Sequence, residues 1–333
     1  MPSRPPIRYL DAASVEAAMP PLEERLRLAE ATMVGLAGDA QLPPKIGVSP
    51  RPTDAFAHAM PAFMPGADPT GADDLLGMKW VVGFPGNGAV GLPTITALVL
   101  LDDPRTGFPI GILDGTPITA QRTAAVSGVA IRHFAPRPTG RNVRAALIGA
   151  GVQGRSHLPV LGHLLPGCDL SIHDRHPDRA ASLADLARDT QGVGTVELAP
   201  SAQAAAAGAD VVVTAVSFGA IRQVATPDWL APDALVVAVD YATMVSAAVA
   251  RDAALFLVDE RGQFEANRDS GAFADYPEPT ATLGEAILAG HGRPSTGRVL
   301  VSHLGVGLAD VIFGHAILAA ATERGSGVLL ETG

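Results

Sequence analysis

A glycine-rich loop between an apolar run and a helical pattern constrains the fold of this 333-residue chain more than any other feature. The apolar run at 145–148 leads directly into the loop Gly149-Ala150-Gly151-Val152-Gln153-Gly154. In such a loop the first glycine allows a tight turn, the second lets a pyrophosphate approach the backbone, and the third lets the helix pack close to the strand. The helix N-terminus offers free N–H groups to the anion. We therefore expect the loop to bind a dinucleotide and not to be an ordinary turn of an α/β domain.

An acidic residue stands where a dinucleotide-binding unit needs one. Asp174 ends the next predicted strand, twenty residues after Gly154. An acid at this place accepts hydrogen bonds from the adenosine ribose hydroxyls. Because a carboxylate repels a 2′-phosphate, the sequence favours NAD over NADP. Arg175 and Arg179 follow closely, so that NADP stays possible.

Short apolar runs alternate with helical patterns from residue 143 to about 260, which predicts a parallel sheet covered on both faces. The runs lie at 143–148, 170–173, 210–215, 235–239 and 255–258, with a further strand at 299–302. In open α/β sheets, ligands bind beyond the carboxyl ends of the strands. This rule places a second set of residues at the cofactor edge: Thr214, Ala215, Val216, Ser302 and Leu304.

The rest of the chain reads as a second, α+β domain. The predicted elements are a helix over 14–37, irregular strands and loops over 41–75, strands at 78–82 and 94–101, a turn at 102–107 that forms a β-hairpin with 108–113, a helix over 116–134, a linker at 136–140, loop character over 261–280 and a last helix over 308–324. We expect the last helix, which ends the chain, to pack back on the first domain.

Composition excludes several classes of protein. Hydrophobic residues make up 47% and charged residues 17%, which is unlike a disordered chain. The formal net charge of −10 disfavours binding to nucleic acid. A single cysteine, Cys168, provides neither a disulfide framework nor a Cys-rich metal site, and the histidines show no metal-ligand spacing. Residues 305–322 read as a buried helix and not a membrane span, and no signal peptide is visible, so a cytoplasmic protein is expected.

Lysine is nearly absent. Only two of the 24 basic residues are Lys, namely Lys45 and Lys79. Much of this reflects a general preference for Arg. A chain that uses Arg nearly everywhere can still keep Lys where an ammonium is needed, because Arg does not give up a proton and its fork has another shape. Both lysines are therefore candidate functional residues.

Several segments, in this order, resemble the ornithine cyclodeaminase/mu-crystallin family over nearly the whole chain. They are Met78-Lys79-Trp80-Val81-Val82-Gly83-Phe84-Pro85, the turn Asp103-Pro104-Arg105-Thr106-Gly107, Thr119-Ala120-Gln121-Arg122-Thr123-Ala124-Ala125, the glycine loop, and Gly305-Val306-Gly307-Leu308-Ala309-Asp310. The resemblance implies an α/β fold with a Rossmann-type doubly wound parallel sheet, here residues 121–307, that binds a nicotinamide cofactor. It also implies a discontinuous α+β domain, residues 1–120 with 308–333, that binds substrate and forms a homodimer.

The resemblance also implies roles for basic residues. Lys79 matches the family's substrate lysine, whose ammonium holds the carboxylate and polarises the imine or the attacking water. Arg122 matches the arginine that clamps the substrate carboxylate with a bidentate fork. Lys45 stands where the family usually has another carboxylate-binding arginine, so the charge is kept and the fork is lost.

Three further positions complete the implied site. Asp240 follows a predicted strand and matches the general base that takes a proton from the substrate amine or the attacking nucleophile, the alternative being a helix N-cap. His58 and Met60 occupy the stretch where ornithine-cyclising members carry a Glu and a Met. Because that Glu recognises a distal amine, His58 argues against ornithine as the substrate, unless it is a structural histidine.

The leading hypothesis is an NAD(H)-dependent oxidoreductase that interconverts an L-amino acid and its imino or keto acid. One alternative is a redox-neutral cyclodeaminase of the ornithine or lysine type, in which NAD is recycled. The other is a crystallin-like protein that holds the cofactor without turnover.

Overall fold

The computed structural model describes residues 5–217 and 222–331, and the chain divides into two compact units. The mixed unit comprises the chain up to Arg122 and from Val306 onward, and the parallel-sheet unit comprises Thr123–Gly305. Residues 1–4, 218–221 and 332–333 lie outside the described residues. They include both outer ends of the predicted discontinuous domain and the first residues of the N-terminal segment, in which the sequence shows no signal peptide.

Fifteen strands are assigned among the described residues. They are β1 Ile7–Leu10, β2 Ile46–Val48, β3 Phe56–Met64, β4 Leu75–Gly83, β5 Ile95–Asp102, β6 Pro109–Asp114, β7 Arg144–Ile148, β8 Cys168–His173, β9 Val193–Leu198, β10 Val211–Thr214, β11 Leu235–Ala238, β12 Leu255–Val258, β13 Ala281–Thr282, β14 Val299–Ser302 and β15 Val328–Leu330.

The described α-helices are α1 Ala12–Ala17, α2 Leu22–Leu36, α3 Gly115–Phe134, α4 Val152–Leu164, α5 Pro177–Arg188, α6 Ala202–Ala206, α7 Ala247–Asp252, α8 Arg261–Asp269, α9 Leu283–Leu288 and α10 Gly307–Glu323. Short 3-10 turns cover Pro85–Val90 and Pro227–Trp229. Helix α3 matches the predicted helix over 116–134, and the division between the units falls inside it.

The parallel-sheet unit contains eight strands in the order β13-β12-β14-β11-β10-β7-β8-β9, all of them parallel. Every residue of β10, β11, β12 and β14 is buried, as strands covered on both faces require. The chain moves outward from β7 in both directions, so the strand order reverses between β7 and β10. The predicted doubly wound parallel sheet is confirmed, and the glycine loop follows β7 at its switch point.

The described residues of the mixed unit form seven strands in the order β15-β1-β6-β5-β4-β3-β2, and among these strands only β1 and β6 pair in parallel. The predicted hairpin is confirmed, because β5 and β6 pair antiparallel. Strand β4 alternates between the two faces: Gly77, Lys79 and Val81 are buried and Trp80 is exposed. We call the face that bears Lys79 the inner face and the face that bears Trp80 the outer face.

Helix α10 packs on β3, β4, β5 and α2 of the mixed unit, although it lies near the end of the chain. A side chain at Gly307 would come within 2.5 Å of the Met60 carbonyl oxygen, so glycine is needed where the helix begins. Among the described residues, every helix is too short or too polar to cross a bilayer.

Three sequence predictions about local structure were wrong. The helix over 14–37 is two helices, α1 and α2, because Pro20 and Pro21 interrupt it. The loop predicted over 261–280 begins with α8, whose first turn is capped by the Glu260 carboxylate, an acceptor for the N–H groups of Gly262 and Gln263. The last helix does not end the chain, because β15 follows it and pairs with β1.

Candidate functional site

A buried cluster of two cations and one carboxylate lies in the mixed unit. Lys79 Nζ is 2.8 Å from Asp310 Oδ2, and Arg122 Nε is 3.3 Å from Asp310 Oδ1. All three residues are buried. Strand β4, helix α3 and helix α10 each supply one of them, so positions far apart in the sequence meet around a single carboxylate.

The orientation of the Lys79 ammonium is set by a second partner. Thr119 Oγ1 lies 3.4 Å from Lys79 Nζ and donates its own proton to the Gly115 carbonyl oxygen at 2.6 Å. The Thr119 oxygen therefore accepts from the ammonium. Because Lys79 occupies an inner-face position of β4, its charge stands where the alternation of the strand calls for an apolar residue. Asp310 and Thr119 supply the acceptors that such a buried ammonium needs.

Burial brings the proton affinity of Lys79 into the neutral range. Loss of hydration lowers the pKa of Lys79 to about 7; the Asp310 carboxylate opposes this shift, and the charges of Arg122 and Lys45 add to it. An amine with this pKa exists in both protonation states near neutrality. It can therefore donate or accept a proton there as well as provide a positive charge.

His58, Met60 and Lys45 lie near Lys79 in the mixed unit. Met60 on β3 pairs with Lys79 on β4 and is buried. His58 pairs with Val81 across the same two strands. Burial first, and then the charges of Lys45 and Lys79, lower the pKa of His58. The predicted substrate-binding residues of this unit thus share one region of the sheet, although their roles remain predictions.

The glycine loop of the parallel-sheet unit has the geometry that a pyrophosphate requires. Gly149 has φ of 111°, and a side chain there would collide with the Ala215 carbonyl oxygen. A side chain at Gly154 would collide with the Gly149 carbonyl oxygen. Gly151 precedes the first turn of α4, and a side chain added there would meet no protein atom within 4 Å. The protein's own packing explains the first and third glycines, whereas close approach by a ligand explains the second. Val152 and Gln153 begin α4 and present its N-terminus.

Asp174 is fixed against the glycine loop. Its Oδ2 accepts from the Ala150 N–H at 2.7 Å, and its Oδ1 accepts from the His176 N–H at 2.8 Å. Each carboxylate oxygen can accept a further bond, so ribose hydroxyls can still be bound. Arg175 is exposed beside it. The residues present fit the adenosine end of a dinucleotide.

Asp240 lies in a strained turn beyond β11. Its buried carboxylate lies 3.5 Å from the N–H of Val216 and 3.4 Å from the N–H of Met244. Burial raises the pKa of Asp240 to about 6, although the nearby Thr214 hydroxyl and backbone N–H groups oppose the shift. Tyr241 and Ala242 follow with φ of 52° and 57°, a left-handed pair that is costly without glycine.

Two observations bear on this turn. The Tyr241 hydroxyl donates to the Leu304 carbonyl oxygen at 2.8 Å and so fixes it to the segment after β14. The next helix, α7, begins seven residues later with Ser246 as its N-cap residue, so the N-cap interpretation of Asp240 is wrong. A buried carboxyl group that titrates near pH 6 at the carboxyl edge of a sheet is suited to proton transfer.

The segment after β14 is anchored by residues that sequence reasoning missed. Asp259 Oδ2 accepts from the N–H groups of Leu304 and Gly305, both at 2.8 Å. Ser302 is buried, and its hydroxyl has no hydrogen-bond partner among the described residues. Thr214 is the last residue of β10, two strands away from β14, and Ala215 and Val216 follow it. The predicted cofactor-edge residues therefore lie at the carboxyl ends of parallel strands of one sheet.

A buried chain of hydrogen bonds links α3, α4 and the end of β14. Ser127 Oγ lies 2.8 Å from His157 Nε2 and 2.8 Å from His303 Nε2, and His157 Nδ1 lies 2.6 Å from the Gln153 carbonyl oxygen. Burial lowers the pKa of His157 to about 4, so this ring is neutral. Its Nδ1 must donate to the carbonyl, so Ser127 donates to its Nε2 and accepts from His303. The chain thereby fixes the tautomer of His157 and places a proton on Nε2 of His303.

Asp310 is the most important residue that had no predicted role. In the sequence it stands out only as the last residue of one segment that resembles the family, Gly305-Val306-Gly307-Leu308-Ala309-Asp310. A carboxylate at the buried face of a helix needs a partner, and that requirement was the available signal. Among the described residues, no group of three or more His, Cys, Asp or Glu side chains is placed to hold a metal ion.

Comparison with known proteins agrees with this architecture. The sequence profile of the ornithine cyclodeaminase/mu-crystallin family matches residues 10–318, which confirms the resemblance. The nodulation efficiency protein NfeD of Rhizobium meliloti is 33% identical over 98% of this chain and 99% of its own length. An alanine dehydrogenase of Archaeoglobus fulgidus is 31% identical over 60% of this chain and 55% of its own length.

A solved structure has the same fold. It is a Thermococcus litoralis Δ1-pyrroline-2-carboxylate reductase in complex with NADH and L-proline, with a TM-score of 0.82, 24% identity, and coverage of 97% of this chain and 99% of that one.

Proposed function

Because the chain belongs to the ornithine cyclodeaminase/mu-crystallin family, we propose that it is an NAD(H)-dependent oxidoreductase that interconverts an L-amino acid and its imino or keto acid. The cluster of Lys79, Arg122 and Asp310 carries the proposal. Two buried cations share one carboxylate, so the cluster favours a second anion. A substrate carboxylate is that anion.

Arg122 and Lys79 divide the binding of the carboxylate. The Nε of Arg122 is held by Asp310, which leaves the terminal nitrogens of the guanidinium for the substrate. A fork that is already oriented loses less freedom when it binds a planar anion. The Lys79 ammonium adds positive charge, and its pKa of about 7 allows it to exchange a proton near neutrality.

Asp240 is the proposed proton acceptor of the parallel-sheet unit. With a pKa of about 6 it is mostly ionised at pH 7 and still basic enough to take a proton from a substrate ammonium. The glycine loop would hold the pyrophosphate of the cofactor and Asp174 its adenosine ribose. When bound, NAD supplies the two-electron step, by accepting a hydride from the amino acid or returning it to the imine.

The proposal is tested with purified protein and NADH against pyruvate plus ammonia, pyruvate plus methylamine, oxaloacetate plus ammonia, pyrroline-2-carboxylate and piperideine-2-carboxylate. Loss of nicotinamide absorbance with one of these is expected. Lys79→Met should lower kcat/KM at least 100-fold, because it removes the positive charge and the titrating amine. Arg105→Gln, on the exposed hairpin turn, is the matched control and should be unaffected.

Two other outcomes would replace the proposal. Ammonia release from ornithine or lysine with no net change in NADH would identify a cyclodeaminase. NADH binding without turnover on any amino, imino or keto acid would identify a cofactor-holding binding protein.

We also propose that the chain forms a homodimer through the outer face of the mixed sheet. Ile46, Trp80 and Leu98 lie in one cross-strand row of that face, with Ala59 between the first two. They are 62%, 41% and 45% exposed. Soluble monomers rarely expose a continuous apolar patch of this kind, whereas subunit interfaces bury them.

Light scattering coupled to gel filtration tests this assembly. A dimeric mass is expected for the native chain, and Trp80→Glu or Leu98→Glu should yield monomers. Leu288→Glu, which changes a more exposed apolar residue on α9, should leave the mass unchanged. A monomeric native chain would contradict the proposal.

A further inference from the structure

A positively charged region occupies one part of the inner face of the mixed sheet. His58 on β3 pairs with Val81 on β4. Lys79, two residues before Val81, is therefore the diagonal neighbour of His58 on the same face. On the other side, His58 pairs with Gly47 of β2, and Lys45 lies two residues before Gly47. The imidazole is thus near both lysines of the chain, and the charges of both act on it.

The His58 ring is held in place by its neighbours. Phe56 stacks on it, with ring centroids 4.8 Å apart and an angle of 28° between the planes. On β2, a side chain at Gly47 would come within 2.6 Å of the ring. Glycine at this position gives the imidazole its space, and Phe56 supports the ring. The ring is therefore oriented before any ligand binds.

The charges that act on this region are mostly positive. Lys45 and Lys79 act on His58, and Arg122 and Lys45 act on Lys79. Asp310 is the carboxylate that acts on Lys79, and it is shared by Lys79 and Arg122. Because His58 is the diagonal neighbour of Lys79 and Lys45 is near both, a substrate whose α-carboxylate is bound by Lys79 and Arg122 can extend its side chain toward Lys45 and His58. A second cation would be repelled there, and a second anion would be attracted.

We propose that Lys45 and His58 select the substrate by charge, so that the preferred amino or imino acid carries a second carboxylate at the end of its side chain. This inference rests on the proposed function and names its substrate class. In this proposal Lys45 acts on the second carboxylate and not on the first, which its place in the family would imply. Lys45 supplies a positive charge, and His58 supplies an oriented N–H donor that gains a proton more readily once the anion is bound.

Three amino acids of nearly equal size test the proposal. L-Aspartate, L-asparagine and L-2,4-diaminobutyrate place a negative, a neutral and a positive group at the same distance from the α-carbon. With NAD and the native protein, kcat/KM should fall in that order. The first and last should differ by about tenfold or more, since like charges at close range cost several times the thermal energy. Turnover that favours the diamine, or does not depend on charge, would overturn the inference and leave the proposed function standing.

Substitutions then show whether these two residues are the cause. His58→Glu should reverse the order and favour the diamine, and Lys45→Met should reduce the preference for aspartate. His58→Gln, similar in size but uncharged, should fall between the native protein and His58→Glu. Arg105→Gln removes an exposed positive charge on the hairpin turn and should keep the native order. An unchanged order in His58→Glu would also refute the assignment.

Binding of unreactive analogues separates this inference from the proposed function. Succinate, succinamate and 4-aminobutyrate repeat the three charges without a reacting amine at the α-carbon. In calorimetric titrations with NADH present, succinate should bind most tightly and 4-aminobutyrate most weakly. This order without turnover of any amino or imino acid would refute the oxidoreductase proposal and keep the charge selection. Weakest binding by succinate would refute the charge selection.

Discussion

Replacing Asp310 by Asn removes the carboxylate that Lys79 and Arg122 share and leaves the shape of the side chain nearly unchanged. Both contacts of Asp310 are buried: its carboxylate oxygens lie 2.8 Å from Lys79 Nζ and 3.3 Å from Arg122 Nε. Removing one partner of a buried ion pair leaves an uncompensated charge and costs roughly 3–5 kcal/mol. We therefore expect Asp310→Asn to lower the free energy of unfolding by about this amount.

The loss should depend on pH, and the sign follows from Lys79. Its pKa is about 7 in the folded protein and 10.5 as a model value. Between these values the unfolded chain binds more protons, so this group makes stability rise with pH, by up to about 1.4 kcal/mol per pH unit. Without Asp310 the pKa of folded Lys79 falls further, and the rise extends below pH 7. The loss caused by Asp310→Asn is therefore larger at pH 6 than at pH 8.

Urea unfolding followed by tryptophan fluorescence measures both effects. Trp80 lies next to Lys79 on β4 and reports on the mixed unit, whereas Trp229 lies in the parallel-sheet unit. Asp185→Asn is the control, because Asp185 pairs with Arg188 at 2.6 Å on an exposed helix surface and should cost less than about 1 kcal/mol. An Asp310→Asn loss as small as that of the control, or one equal at pH 6 and pH 8, would refute the reasoning.

Three further predictions concern the parallel-sheet unit. Gly151→Ala should weaken NADH binding at least tenfold with no change in thermal stability, because its added Cβ meets no protein atom; a calorimetric titration and a melting curve measure the two effects. Gly154→Ala should lower both the affinity for NADH and the thermal stability, because the added Cβ would collide with the Gly149 carbonyl oxygen. The rate of amino-acid oxidation should rise with pH through about 6 as Asp240 loses its proton, and a pH profile of Asp240→Asn should lack this limb.

The parallel sheet could be predicted from the sequence because its signals are local. The glycine loop marks the first βα turn, and the spacing after the loop places Asp174 at the sheet edge. The rule that ligands bind at strand ends places Asp240 at the same edge. The mixed unit was predicted less well. Strand β3 contains Pro61 and lacks regular alternation, and α8 is polar enough to resemble a loop.

The buried cluster could not be assembled from spacing at all. Lys79, Arg122 and Asp310 lie on a strand and two helices whose separations along the chain carry no information about contact. Family resemblance named two of the three. The role of the third, Asp310, follows from the packing of α10 on β3, β4 and β5, which is a tertiary contact that the sequence does not show.

The placement of α10 and β15 also determines when the mixed unit can fold during synthesis. Ile7 pairs with Leu330, and Lys79 forms its ion pair with Asp310. The contacts that complete this unit therefore span nearly the whole chain. Contacts of such long range slow folding, and domains made earlier can fold as they leave the ribosome. The parallel-sheet unit is continuous in sequence and is complete before α10 is made. The mixed unit is therefore the last part to form, and Lys79 and Arg122 have no Asp310 carboxylate beside them until α10 is translated.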